Sequence, residues 1–251
     1  MQVTGARCMP SKWPLNLEIA MKHMTVLIAG LILATTANAA VINVDFGNTG
    51  IDVYAGRGIL GSDTDTFWNA VDSTGAANLS FADSTAGTSG VTLTFDGFFS
   101  NVGGLATNTL LGDRIARIVG DPTLTETITI SGLSPNSLFD IVLYNGFYAN
   151  EYSIVGQPGV GTASVIPDAD SPNTDFPNWV EGVEYARLNS AMSDGNGQLQ
   201  IQDLPIAGGL YGVNSAVAGL QIQAVPIPAT ILLFGSGLVG LVGIARRKKA
   251  A

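Results

Sequence analysis

The chain has 251 residues, 46% hydrophobic and only 12% charged, which is ample apolar material for one large domain or two small ones and too much for simple disorder. Seven of its 11 cations lie near the two ends, so residues 41–225 keep 4 arginines, no lysine and 19 acids, a formal charge of −15 that argues against nucleic acid as a partner. Cys8 and His23, the single cysteine and histidine, also lie upstream, which leaves the body without a disulfide, a thiolate or imidazole metal site, a histidine base or a lysine for a Schiff base or Walker loop.

Residues 1–20 fit neither a targeting peptide nor a domain, and the expected reading is a wrongly chosen upstream start codon, with translation beginning at Met21 or Met24. From Met21 the chain runs from a short basic start through an apolar stretch, Val26 to Ala34, to small residues ending Ala37-Asn38-Ala39. That is the pattern of a signal peptide over 21–39, too short in its apolar part to span a bilayer. Ala37 and Ala39 are the small side chains a signal peptidase accepts, which places the cut after Ala39 or one residue later.

From residue 40 to 224 the apolar positions recur with period two. Val91, Leu93 and Phe95 alternate with Thr92, Thr94 and Asp96; Leu199 and Ile201 with Gln198, Gln200 and Gln202; Leu220 and Ile222 with Gln221 and Gln223. These read as half-buried antiparallel strands. Further strands are predicted at 41–46, 115–119, 125–130, 139–144, 152–155, 162–166 and 183–188. Turn-forming clusters separate them and no long amphipathic helix intervenes, so the expected fold is all-β, an antiparallel jelly-roll-like β-sandwich. A closed barrel or a parallel β-helix is the alternative, and no fixed repeat supports the solenoid.

Three kinds of chemistry remain open to such a body. A glycan site needs flat aromatic faces with amides or carboxylates at the rim. The run from Tyr144 to Tyr152 supplies these types, above all Tyr148 and Asn150 with Tyr144, Asn145, Phe147 and Glu151 around them; Trp68 with Asn69, Trp179 with Asn178 and Tyr211 with Asn214 are further candidates. An aromatic in a sandwich is, however, more often core than platform. Calcium has candidate oxygen ligands in Asp63 and Asp65, in Asp168, Asp170 and Asp175, and in Asp194 with Asn196. None has EF-hand spacing, and Asp194-Gly-Asn-Gly is more simply a tight turn. The third is glycoside hydrolysis by a pair drawn from Glu126, Glu151, Glu181 and Glu184, for which no paired motif exists.

The tail closes the chain with Val225-Pro-Ile-Pro-Ala-Thr230, an uncharged stretch over 229–245, and the cations Arg246, Arg247, Lys248 and Lys249. The uncharged stretch is long enough for a transmembrane helix in a thin bilayer, and the cations should stop it with their side in the cytoplasm. Pro226 and Pro228 hold their neighbours extended, as a protease requires. As a three-part constellation, residues 225–251 resemble the PEP-CTERM sorting signal of certain Gram-negative bacteria, which a membrane protease-transpeptidase, exosortase, processes. Val225, Pro226, Pro228 and Thr230 stand where that pattern wants them, whereas its central glutamate is here Ile227. The body resembles, more loosely, the ectodomains that precede such tails, and through them malectin-like and galactose-binding-like sandwiches. The residues that carry this are Ile42 to Gly47, Phe67 to Val71, Ile128 to Gly146 and Val217 to Pro226. The resemblance implies a carbohydrate-binding fold without naming a ligand.

Together these features predict a noncatalytic protein exported across the inner membrane, transiently anchored through 229–245 and then held at the cell surface or in an extracellular matrix. Its expected partners are signal peptidase, exosortase and exopolysaccharide. No cofactor is expected beyond a structural calcium. The alternative is a carbohydrate-binding module with a defined glycan or, further off, a carboxylate-based glycoside hydrolase.

Overall fold

Alternation of apolar and polar residues sends successive side chains to opposite faces of an extended backbone, and in the computed structural model the body is built almost wholly this way. The structure describes residues 40–46, 53–71, 79–96, 100–101, 110–111, 115–117, 125–145, 147–167, 177–207 and 215–226. The predicted signal peptide with Ala37 and Ala39, the loop acids Asp168, Asp170 and Asp175, and the tail beyond Pro226, with Pro228, Thr230, the span at 229–245 and Arg246 to Lys249, lie outside the described residues. Among the described residues no helix is long and apolar enough to cross a membrane.

Residues 39–225 make one compact unit. With strands numbered in chain order, a five-stranded sheet has the order β11 (Tyr185–Met192), β8 (Leu138–Tyr144), β14 (Gly219–Ala224), β1 (Val41–Phe46), β2 (Asn69–Val71). A six-stranded sheet has the order β10 (Thr162–Val165), β9 (Asn150–Ile154), β12 (Leu199–Pro205), β7 (Glu126–Ser131), β4 (Thr88–Asp96), β3 (Leu79–Ala82). A small third sheet joins β13 (Ser215–Val217), β6 (Ile115–Arg117) and β5 (Ser100–Asn101). Every named pair is antiparallel except β1 with β2. The helical structure among the described residues is a single 3-10 turn, Pro158–Val160.

The main core lies between the two large sheets. Val44, Phe46, Ile141, Leu143, Leu220 and Ile222 face it from one side, and Leu93, Ile128, Ile130, Tyr152, Leu199 and Ile201 from the other. Each such side chain contributes roughly 1.5–3 kcal/mol by leaving water. Val142 and Tyr144 alternate to the outer side of β8 and yet are buried, because a second cluster with Tyr54, Leu60, Trp68, Leu110, Leu111 and Trp179 covers part of that face. This explains why β1 is buried along its whole length, both faces being covered.

Turns follow the chemistry of their residues. Asp194 accepts the backbone N–H of Asn196 at 2.8 Å and of Gln198 at 2.7 Å, closing the β11–β12 hairpin. Gly197, at φ +73°, approaches the carbonyl of Leu133 so closely that a β-carbon would stand 2.1 Å from its oxygen. A bulge in β11 between Leu188 and Ala191 contains Ser190 at φ 57°, whose N–H donates to Asp140 Oδ1 at 3.0 Å.

Candidate functional site

Three of the aromatics singled out by sequence, Tyr144, Trp68 and Trp179, meet on the outer face of the five-stranded sheet, whereas Tyr211 and Asn214 lie outside the described residues. Tyr144, at the end of β8, is their hub: its ring centroid lies 5.1 Å from Trp179, 6.0 Å from Trp68 and 6.2 Å from Tyr185. Tyr54 closes the group, 5.3 Å from Trp68 and 5.7 Å from Trp179. The polar tips point inward. Trp68 Nε1 donates to Gly56 O at 2.8 Å, and the Tyr144 hydroxyl donates to Gln221 Oε1 at 2.5 Å while accepting from Ile59 N at 2.8 Å. Gln221 in turn donates to Asn43 Oδ1 at 2.7 Å and accepts from Leu60 N at 2.8 Å, so one buried amide fastens the covering segment to β1 and β14. Burial pushes the Tyr144 hydroxyl well above its ordinary range, which keeps it a donor at any working pH.

What this cluster presents to solvent is its margin. A groove of about 490 Å³ runs beside it, with Tyr54 and Trp68 in its wall and Val53, Phe67 and Phe81 along it. Phe67 is 41% exposed, whereas Trp68 beside it is buried. Asn69 lines the groove but is fully engaged: its Nδ2 donates to Asn43 O and Ala82 O, and its Oδ1 accepts from Ala82 N, all at 2.8 Å. Thr66 offers a hydroxyl at the rim, and none of the lining residues is charged. The groove is therefore suited to an apolar face with few directed hydrogen bonds, as the C–H face of a sugar ring provides.

Tyr148 and Asn150 are placed elsewhere, and inward. Asn145 organises their loop, its Oδ1 accepting from Phe147 N and Tyr148 N and its Nδ2 donating to Tyr148 O at 2.8 Å and Asn150 Oδ1 at 2.6 Å. Asn150 donates to Asp203 Oδ1 at 2.7 Å. Asp203 and Glu126 are direct partners across β12 and β7, both fully buried. Tyr152, beside them, donates its hydroxyl to Ala216 O at 3.0 Å and is driven well above its usual pKa by burial. The expected rim of a glycan site is thus an interior polar network at one end of the sandwich.

The acids of the first calcium candidate serve the chain itself. Asp63 pairs with Arg57 at 2.5 Å. Asp65 Oδ2 accepts from Ser62 N at 2.6 Å and Ser62 Oγ at 2.7 Å, and its Oδ1 from Ser84 Oγ. Partial burial raises the Asp65 pKa, but the Ser84 and Ser62 bonds outweigh it and the net shift is downward. Asp194 is likewise lowered, chiefly by the Gln198 N–H. Among the described residues no three His, Cys, Asp or Glu side chains gather as a metal site. Of the four glutamates considered for hydrolysis, Glu126 faces the interior of the six-stranded sheet, Glu151 alternates to its opposite face, and Glu181 and Glu184 share the turn before β11, where Glu184 Oε2 accepts from Val180 N at 2.9 Å.

Tyr54, Gln221 and the exposed Phe67 complete what the candidate residues alone did not outline. The signal for Asp203 and Glu126 lay in their phase, each in step with the inward positions of its strand.

No protein-family model matches the chain, and no curated protein sequence matches it. Among solved structures it is similar to protein YxiM from Bacillus subtilis, at 13% identity over 74% of this chain and 40% of that one, with a TM-score of 0.40. It is also similar to the ANXUR2 extracellular domain from Arabidopsis thaliana, at 9% identity over 74% of this chain and 41% of that one, TM-score 0.39. A third is the plant receptor-like kinase ANX2, at 13% identity over 54% of this chain and 40% of that one, TM-score 0.37. The chain spans about two fifths of the length of these structures. The likeness is remote.

Proposed function

We propose that this is a noncatalytic, exported surface or matrix protein: a jelly-roll-like sandwich released across the inner membrane by signal peptidase, sorted through residues 225–251 by an exosortase-type protease, and associated with exopolysaccharide. The observation that carries this is where the sheet stops. Val225 N donates to Leu138 O at 2.8 Å as the last sheet-bonded residue, and the sorting pattern begins at the same position. Protease shaving tests the reading: the body should be digested from outside intact cells, and a body that stays protected even when the outer membrane is permeabilised but is cut after full lysis refutes export.

A second reading, a carbohydrate-binding module, is favoured by the groove beside Phe67. Its apolar lining and lack of charge suit a neutral glycan over an anionic one in a body of formal charge −15. A glycan array comparing the wild type with Phe67→Ala should show selective binding that the substitution abolishes; equal, unselective signals from both proteins contradict it.

A further inference from the structure

The six-stranded sheet turns hydroxyls and amides away from the core. Thr94, Thr129 and Gln200 are register partners across β4, β7 and β12, with Thr92 and Ser131 paired on one side of them and Thr127 and Gln202 on the other. These side chains alternate with core residues, are exposed or half-buried, and carry no charge. Two acids, Asp96 and Glu151, come at one end of the face in register, opposite Thr127 and Leu204. At the other end the face runs into a hollow of about 390 Å³, where Gln198 and Gln200 stand exposed near Asn136, and Val155 (45%) and Met192 (48%) supply apolar surface.

Three turns frame the hollow and are bonded to one another. Gln157 Oε1 accepts from Met192 N at 2.8 Å while its Nε2 donates to Met192 O; Asn136 N donates to Asp194 O at 3.1 Å, and Leu133 N to Gly197 O at 3.0 Å. The frame is therefore set before a ligand arrives, which lowers the ordering cost of binding. An amide side chain both donates and accepts, and so does a hydroxyl. Their match is a ligand whose own groups do both, with C–H surface between them for Val155 and Met192: a polyhydroxylated chain. Charge narrows the class. The body has no lysine, Arg57 pairs with Asp63 and Arg187 with Asp140. At the hollow itself, the Gln198 N–H holds the Asp194 carboxyl below its ordinary pKa and so ionised. A uronate, sulfate or phosphate would be repelled there.

We infer that this hollow, with the amide and hydroxyl face leading from it, is where the body holds a neutral polysaccharide, laid along Gln198, Gln200 and Gln202. The inference rests on the reading of a matrix protein associated with exopolysaccharide, and it gives that association a surface separate from the groove beside Phe67. Each such hydrogen bond replaces one to water and contributes little alone, whereas a chain that repeats its hydroxyls engages several at once.

The test passes the full chain, in detergent micelles, over beads carrying dextran, mannan or galactan, with alginate as the anionic comparison. Gln198→Ala combined with Gln200→Ala removes two amides from exposed positions, so the fold stands; Val180→Ser alters an exposed position in the turn before β11. At least one neutral polysaccharide should retain the wild type and the Val180→Ser protein equally, alginate should retain neither, and the double substitution should weaken retention about tenfold. Retention that the double substitution leaves unchanged, or that alginate shares, overturns the inference while the association with exopolysaccharide stands. A light-scattering mass that falls from dimer to monomer on the double substitution assigns the face to a second copy and overturns it too. Failure of all three neutral polysaccharides to retain the wild type overturns both the inference and the association.

Discussion

Asn150 shows how far a residue's use depends on the strand that carries it. It has the chemistry of a glycan rim, yet its position on β9 turns it inward, where it accepts from Asn145 at 2.6 Å and donates to Asp203 at 2.7 Å. Asn150→Ala should therefore cost about 2–3 kcal/mol, since it strips one buried amide and one buried carboxylate of a partner. Chemical denaturation measures this, and a loss below about 0.5 kcal/mol would show that the network contributes little. Asp65 sets a pH expectation. Its pKa is lowered in the folded chain from the ordinary 3.8, so the stability it contributes is complete above that value and is lost as pH falls through the folded value. Unfolding midpoints followed from neutral pH downward should hold until about pH 4 and then decline, and Asp65→Asn should lower the neutral plateau and flatten that acid decline.

At the scale of elements, strands whose two faces differ in polarity were legible. β1 spans Val41–Phe46 as predicted, and β7, β8, β12 and β14 lie within a few residues of their alternating runs. β2, β3, β5 and β13 were not, being two to four residues long and held by their neighbours instead of by any pattern of their own. Asn69 illustrates this, because its three side-chain bonds clip β2 between β1 and β3. Asn69→Ala should destabilise the fold by about 2–3 kcal/mol, read as a lowered denaturation midpoint; an unchanged midpoint would mean that β2 holds without the clip. Gly197→Ala should also lower it, because the turn demands φ +73° and a β-carbon would collide with Leu133 O. Of the candidate site, Trp68 and Trp179 were visible as residue types, but that both are buried follows from contact with Tyr54 and Tyr144, distant in sequence. Which of Phe67 and Trp68 faces water depends on how the start of β2 lies against β1, a register that composition does not contain.

For the whole molecule, charge and boundaries tell one story. The body from 39 to 225 is a compact unit whose acids, among the described residues, are mostly at the surface or hydrogen-bonded within it, and most of the chain's cations are confined to its flanks. That distribution suits a protein passed through a membrane with its basic end held back. The most direct measurement is the intact mass and terminal peptides of the protein recovered from cells with and without the sorting protease. The account predicts a product that begins at Ala40 or one residue later and, only when the protease is present, ends before Ile231, without Arg246 to Lys249. A cytoplasmic product retaining Met21 and Ala251 in both strains would contradict it.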